Sequence, residues 1–119
     1  MFKLLFVLAI FGKVVVSSLL PYDFYNQLKE ESDGLLLDLR IQEDFKAGHI
    51  ESAQWAGNKI VLDSIAATYS QETPVFIYCD YGQRTKSVIK LLKKKGFKQI
   101  IELEGGLDIW IKQGFPLSK

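Results

Sequence analysis

Short apolar runs alternate with amphipathic segments along the chain from residue 20 onward. Segments 34–40 and 74–78 are almost wholly apolar, which is typical of strands that are buried on both faces. In the segment 84–95, Val88, Leu91 and Leu92 are spaced as on one face of a helix. The pattern predicts strands at 34–40, 52–56, 74–78 and 99–103, and helices at 21–30, 41–48, 58–69, 84–95 and 107–113. This alternation predicts an α/β fold, in which a central, mainly parallel sheet is flanked by helices on both faces.

The first 18 residues are a separate apolar segment. Lys3 precedes an uncharged stretch at 4–12, and small residues follow near 15–18, as in a secretory signal peptide. Lys13 interrupts the apolar run, so we expect no stable membrane span. The alternative is an apolar first helix or strand of a cytoplasmic domain. We expect this segment to precede a single domain at 19–119; the compartment is open, with export or a periplasmic location favoured over the cytoplasm.

Composition excludes several classes of function. Fifteen basic residues nearly balance fourteen acidic ones, and the formal net charge is +1, so nothing in the charge points to a nucleic-acid partner. One cysteine in 119 residues excludes an intrachain disulfide. With one cysteine and one histidine, the usual cysteine-rich and paired-histidine zinc sites are also excluded, and we expect no bound metal.

Candidate chemistry concentrates on the segment Cys79-Asp80-Tyr81-Gly82-Gln83-Arg84, between a predicted strand and a predicted helix. Such a loop directs several backbone N–H groups at one point, where the helix dipole also favours an anion. If that anion is the Cys79 thiolate, the cysteine becomes a nucleophile. Gly82 provides the unusual backbone angles of a curled loop, and Arg84 can orient the loop or bind an anionic substrate. Thr85 can cap the helix or donate a hydrogen bond to sulfur. The alternative is that Cys79 is only a small buried hydrophobe at the end of a strand.

The spacing of Cys79 and Arg84 separates two kinds of loop. Tyrosine-phosphatase-type enzymes place five residues between their cysteine and arginine. Here four residues lie between them. The smaller cradle suits a persulfide sulfur better than a phosphoryl group, which disfavours a phosphatase or an arsenate reductase.

Four sequence blocks, in order over residues 20–118, resemble the rhodanese family. Asp38-Leu39-Arg40 is similar to its Asp-Val-Arg, and Cys79 to Thr85 resembles its Cys-x-x-Gly-x-Arg-Ser active loop. The third block resembles Glu-x-Tyr…Gly-His-Ile-x-Gly-Ala and consists of Glu43, Phe45, Gly48-His49-Ile50 and Ser52-Ala53. The fourth block resembles the closing Leu-x-Gly-Gly-Leu…Trp…Gly-x-Pro and consists of Leu103-Glu104-Gly105-Gly106-Leu107, Trp110, Gly114 and Pro116. The resemblance implies a rhodanese-like fold.

The resemblance also implies a sulfurtransferase cycle. Cys79 takes a sulfane sulfur from thiosulfate or a thiol persulfide, carries it as a persulfide and passes it to cyanide, a thiol or a protein acceptor, without metal or organic cofactor. The loop from Asp80 to Thr85 would bind the substrate. Asp38 and Arg40 would form an internal polar network, with direct contact to the substrate as the alternative. His49 would fix a turn rather than act as a base.

Two residues depart from the family pattern. Asp80 stands where active members often carry a basic or neutral residue, and its charge should repel thiosulfate and disfavour the neighbouring thiolate. Thr85 replaces the usual serine but keeps the hydroxyl. The competing hypothesis is a rhodanese-fold module that binds a protein without turnover; the intact Cys79, Gly82 and Arg84 favour the enzyme.

Overall fold

The computed structural model describes residues 13–119, and in this range five parallel strands form one sheet in the order β1-β5-β4-β2-β3. The strands are β1 (Val15–Leu19), β2 (Leu35–Asp38), β3 (Gln54–Trp55), β4 (Val75–Tyr78) and β5 (Gln99–Leu103). The helices are α1 (Pro21–Glu30), α2 (Gln42–Ala47), α3 (Lys59–Ala66), α4 (Thr85–Lys94) and α5 (Gly106–Lys112). The predicted α/β fold with a parallel sheet is therefore confirmed.

Side chains of the central strands alternate between two apolar layers, because successive residues of a strand point to opposite faces. In β4, Val75 and Ile77 pack with α3 and α4, through residues such as Leu62 and Leu92. Phe76 and Tyr78 of the same strand lie in the opposite layer, whose members from the helices include Phe24, Leu107 and Trp110. Helices therefore cover both faces of the sheet, and the full burial of β2 and β4 explains their unbroken apolar sequence.

The edge strand β1 was not among the strands that the pattern predicts. It pairs in parallel with β5, with Val15 opposite Gln99 and Leu19 opposite Leu103, so residues 15–18 of the expected leader or apolar segment form part of the sheet. Most of its side chains are exposed, and it is held by backbone pairing that leaves little trace in a hydrophobic pattern. Residues 1–12 of that segment lie outside the described residues. Within 13–119, no helix is both long and apolar enough to cross a membrane.

The sheet brings the ends of β2 and β4 together at one edge. Asp38 lies opposite Tyr78 in the ladder, and the N–H of Leu39 donates to the carbonyl oxygen of Tyr78 at 2.9 Å. Because all the strands are parallel, the segments that follow them gather at this same carboxyl edge, where ligands of open α/β sheets bind. The segment that begins with Cys79 is one of these.

Candidate active site

Cys79 follows β4 directly and lies on the side of the sheet that α3 and α4 cover. Its side chain packs in the same layer as Val75 and Ile77, as the two-residue period of a strand requires. Only residues 80–84 separate it from the first residue of α4, Thr85. The sulfur is therefore directed at the amino-terminal end of a helix, as the sequence analysis expected.

Two backbone amides converge on the Cys79 sulfur. The N–H of Gly82 donates to Sγ at 3.2 Å, and the N–H of Arg84 does so at 3.4 Å. Gly82 has a φ of 89°, in the left-handed region that favours glycine, so the loop curls as the sequence predicted. Amides arranged in this way stabilise negative charge on the sulfur. We call the loop residues 79–84 the cradle.

The cradle is closed in this structure. Cys79 is 0% exposed, and its thiol lies 3.4 Å from the Oε1 atom of Gln83. The same oxygen accepts a hydrogen bond of 2.9 Å from the N–H of Tyr81. The Tyr81 side chain is exposed and Asp80 is half-buried.

Arg84 and Thr85 fix the end of the cradle in different ways. The Arg84 guanidinium donates to the carbonyl oxygen of Leu39 at 3.2 Å, which ties the cradle to the segment after β2. Thr85 neither caps the helix nor reaches the sulfur, contrary to both expectations. Its hydroxyl lies 2.6 Å from Glu102 Oε1 and 3.0 Å from the carbonyl oxygen of Gly82. Glu102 is on β5, and no local signal in the sequence identified it as part of the site.

Asp38 and Arg40 form a buried polar network beneath the cradle. The guanidinium of Arg40 donates to both carboxylate oxygens of Asp38, with the shortest bond at 2.7 Å, and to the carbonyl oxygen of Gly48 at 2.6 Å. The hydroxyl of Tyr78 donates to Asp38 at 2.6 Å and accepts from the N–H of Ile50 at 3.1 Å. Tyr78 completes the network through its hydroxyl, although the sequence pattern predicts only a strand residue of an apolar run at this position.

Burial and charge act on the pKa values of this network. Burial lowers the pKa of Arg40, but the hydrogen bonds and charge of Asp38 outweigh it, with smaller contributions from Tyr78 and Asp80, so the pKa is raised. Burial, followed by the charge and the hydrogen bond of Asp38, raises the pKa of Tyr78 well above its ordinary value. Arg40 therefore stays charged and Tyr78 stays protonated. Their hydrogen bonds to Asp38 hold the carboxyl ends of β2 and β4 together.

His49 bonds within its own turn. Its Nδ1 atom lies 2.8 Å from the carbonyl oxygen of Phe45, and the two rings stack with centroids 4.0 Å apart. Its backbone forms an antiparallel bridge with Ser118 near the end of the chain. These bonds connect α2 to the carboxyl-terminal segment.

An apolar groove runs from the cradle between α3 and α4. Its volume is about 440 Å³, and Leu39, Leu62, Val88 and Leu91 are among the residues that line it. Four basic residues also line it: Lys59, Arg84, Lys90 and Lys94. None of the described residues that line it is acidic, although the lining Lys59 pairs with Asp63 at 2.6 Å. The groove therefore has a basic rim, and it ends at Arg84, whose amide contacts the sulfur.

The described part of the chain holds no group of three or more histidine, cysteine, aspartate or glutamate residues that could bind a metal ion. The groups that the structure brings together at the site are the Cys79 sulfur, the amides of the cradle and Arg84.

Two of the proteins that are similar to this chain carry sulfur-transfer names. The model of the rhodanese-like domain matches residues 20–113. Thiosulfate sulfurtransferase GlpE of Pseudomonas fluorescens (strain SBW25) is 32% identical over 84 residues, which are 71% of this chain and 76% of that protein. The solution structure of the polysulfide-sulfur transferase homodimer from Wolinella succinogenes is 29% identical, with a TM-score of 0.70 over 87% of this chain and 78% of that one.

A relative of another kind also matches. The tRNA uridine(34) hydroxylase of Protochlamydia amoebophila (strain UWE25) is 31% identical over 102 residues, which are 79% of this chain but only 32% of that protein. The same domain thus occurs inside a longer protein with a different name. Since the family model covers most of the chain and the fold agrees with it, the chain belongs to the rhodanese-like domain family.

Proposed function

We propose that this protein is a sulfurtransferase in which Cys79 carries a sulfane sulfur as a persulfide. The donor is thiosulfate or a thiol persulfide, and the acceptor is a thiol, including a protein thiol, or cyanide. The observation that carries the proposal is the pair of amides, from Gly82 and Arg84, that donate to the Cys79 sulfur at the start of α4. Such amides stabilise both the thiolate and the negative charge of a persulfide.

In the first half of the cycle, the Cys79 thiol loses its proton to solvent and the thiolate attacks the sulfane sulfur of the donor. A new S–S bond forms to Cys79 while the donor's own bond to that sulfur breaks. The electron pair of the broken bond leaves with sulfite when the donor is thiosulfate, or with a thiolate when it is a thiol persulfide. The cradle amides then face the persulfide.

In the second half, the acceptor attacks the outer sulfur of the persulfide. The S–S bond to Cys79 breaks and its electron pair returns to the Cys79 thiolate, which the cradle again stabilises. A thiol acceptor becomes a persulfide, and cyanide becomes thiocyanate. Every step is a displacement at sulfur, so neither a metal nor an organic cofactor is needed.

The relatives support this chemistry at the level of reaction class. Two of them are named as sulfurtransferases, one for thiosulfate and one for polysulfide sulfur. Those two donors share a sulfane sulfur and differ in charge and leaving group. The identities of 32% and 29% agree with a common displacement at sulfur, and the choice of donor then depends on residues such as Asp80.

A second candidate function is docking of a partner protein without turnover. The observation in its favour is that Cys79 is 0% exposed, with Gln83 over its sulfur. A closed cradle suits a fold used only as a surface, whereas a sulfurtransferase has to open it.

Intact-mass spectrometry distinguishes these functions. The purified protein is incubated briefly with thiosulfate or with glutathione persulfide, in parallel with Cys79→Ser. We expect the gain of one sulfur atom, its absence in Cys79→Ser, and its loss on addition of cyanide or a thiol. No gain with either donor, in a protein whose Cys79 still reacts with iodoacetamide, would favour the docking function.

A further inference from the structure

The Gln83 side chain lies over the Cys79 sulfur, with its Oε1 atom in contact with both the sulfur and a backbone amide of the cradle. Three amides of the loop point inward, from Tyr81, Gly82 and Arg84. The last two donate to the Cys79 sulfur, while the Tyr81 amide donates to Gln83 Oε1 at 2.9 Å. That oxygen lies 3.4 Å from the sulfur, close enough to accept the thiol proton. A side-chain atom therefore holds a position between the sulfur and one inward-facing amide.

The orientation of this carboxamide is determined by its neighbour. The Tyr81 N–H can only donate, so the oxygen and not the nitrogen of Gln83 has to face it. The Gln83 nitrogen forms no hydrogen bond with the residues that the structure describes, and the residue is exposed. The side chain is thus free to rotate outward once its oxygen is displaced.

The Gln83 oxygen leaves no room for a sulfur bonded to Cys79 on the same side. An S–S bond is about 2.0 Å long, so a sulfur attached to Sγ on this side would overlap an oxygen that lies 3.4 Å away. The Tyr81 amide is the inward-facing donor of the cradle that Cys79 does not use. Once Gln83 leaves, this amide can donate to an outer sulfur or to an oxygen of the donor.

We propose that Gln83 Oε1 occupies the binding subsite of the transferred sulfur and has to leave it before the sulfur is loaded, which makes Gln83 a positioning residue of the cradle. This inference rests on the proposed function for the identity of the incoming atom. The subsite itself consists of the Tyr81 amide and the sulfur of Cys79. Its ligand is a sulfane sulfur or an anionic oxygen bonded to one.

Loss of the thiol proton would weaken the closure of the subsite, because only the Tyr81 amide would then hold Gln83 Oε1 in place. The contact between Cys79 and Gln83 is a hydrogen bond only while the sulfur carries a proton, because a carboxamide oxygen is an acceptor. In the thiolate, two acceptors face each other without a proton between them. An anionic donor can then displace the neutral carboxamide from the Tyr81 amide, because a charged acceptor forms the stronger hydrogen bond.

The experiment measures the reaction of Cys79 with iodoacetamide, followed by intact mass over a pH series, with no sulfur donor present. Gln83→Ala removes the covering oxygen. The plateau rate at high pH should then rise about fivefold to tenfold, as for the loss of one hydrogen bond, that of the Tyr81 amide to Gln83, which is the one left in the thiolate form. Gln83→Glu places a carboxylate acceptor on the Tyr81 amide beside the thiolate, and its rate should fall by a similar factor. Gln42→Ala, an exposed residue of α2, is the matched control and should react as the natural protein does.

Opposite changes in Gln83→Ala and Gln83→Glu cannot both come from a damaged fold. Equal plateau rates in the natural protein and in Gln83→Ala would overturn the inference, even if sulfur transfer were normal. A faster reaction of Gln83→Ala, together with no uptake of sulfur from any donor, would support the covering role of Gln83 and contradict the proposed sulfurtransferase function. The two proposals therefore fail separately.

Discussion

The backbone N–H of Asp108 donates a hydrogen bond of 3.0 Å to the carbonyl oxygen of Asp80. One residue earlier, the N–H of Leu107 donates to the carbonyl oxygen of Cys79 at 2.9 Å. Two backbone hydrogen bonds therefore attach the first turn of α5 to the first two residues of the cradle. Gly106 makes this approach possible, since a Cβ atom there would lie 2.5 Å from the carbonyl oxygen of Asp80.

Gly106→Ala should therefore damage both stability and the site. The new methyl group meets backbone atoms that cannot move without shifting Cys79 and Asp80, and the φ of 67° at this position is unfavourable for alanine. We expect the free energy of unfolding, measured with urea, to fall by at least about 1–3 kcal/mol. The rate at which Cys79 reacts with iodoacetamide should also change.

Gly114→Ala is the matched control for this substitution. Gly114 has a φ of 83°, but nothing lies within 4 Å of its Cβ position. It should lose only the part of the stability that comes from backbone strain, and the reaction of Cys79 should be unchanged. Equal losses in the two variants would mean that close packing of α5 on the cradle is not needed.

Tyr78→Phe tests the network beneath the cradle. The Tyr78 hydroxyl donates to Asp38 and accepts from the N–H of Ile50, so phenylalanine leaves a buried N–H without its acceptor. We expect the free energy of unfolding at neutral pH to fall by about 1–3 kcal/mol. The Cys79 sulfur lies in the other side-chain layer and should still be available for reaction.

The same variant should change the stability at alkaline pH. Burial, and then Asp38, raises the pKa of Tyr78 above its ordinary value of 10.0. Its contribution is therefore fully present below pH 10.0 and declines as the pH rises further, because the unfolded chain then loses a proton that the folded protein keeps. Urea unfolding at two pH values on either side of this point measures the effect. The natural protein should lose more stability than Tyr78→Phe, and parallel losses would contradict the assignment.

Much of this site could be predicted because its parts are contiguous in the sequence. The apolar segment before Cys79 and the helical spacing after it placed the sulfur at a helix start, and Gly82 predicted the curled loop. Thr85 was assigned wrongly, because its partner Glu102 comes from β5. Such a contact depends on strand order, which one sequence pattern does not specify.

Contacts that appear only in the assembled sheet also explain why the pattern predicts neither the strand β1 nor the polar role of Tyr78. The pattern does not predict β1, because its neighbour β5 is more than 80 residues away in the sequence and its side chains are mostly exposed. The pattern also does not predict the role of Tyr78, because alternation along β4 gives the face on which a side chain lies but not the hydrogen bonds of its hydroxyl. Long-range pairing and polar side-chain networks both require the assembled sheet.

Asp80→Arg should improve the use of thiosulfate. Asp80 directly follows Cys79 in the sequence and is half-buried. Its negative charge repels both the thiolate and a dianionic donor. The interaction energy of partly exposed charges is about 1 kcal/mol, so we expect kcat/KM for thiosulfate to rise about threefold to tenfold. Asp80→Asn, which removes the charge without adding another, should give an intermediate value. An unchanged or lower value in both variants would show that this charge does not limit the donor.

Lys90→Gln combined with Lys94→Gln should have the opposite effect to Asp80→Arg and reduce the use of anionic donors. Both lysines are exposed on the rim of the groove that ends at Arg84, and none of the described lining residues is acidic. Their positive potential raises the local concentration of an anion, so we expect kcat/KM for thiosulfate to fall about twofold to fivefold at low ionic strength. The difference should vanish near 1 M salt, where the screening length is about 3 Å.

Lys13→Gln is the control for this last comparison. Lys13 is also exposed, but it precedes β1 and so lies toward the amino-terminal end of a parallel sheet whose carboxyl end holds Cys79. Removing its charge changes the net charge of the protein while leaving the rim of the groove intact. A loss of kcat/KM in Lys13→Gln as large, per charge, as in the double variant would mean that net charge and not the groove attracts the donor. A loss confined to the double variant, and abolished by salt, would mean that the donor approaches Cys79 along the groove between α3 and α4.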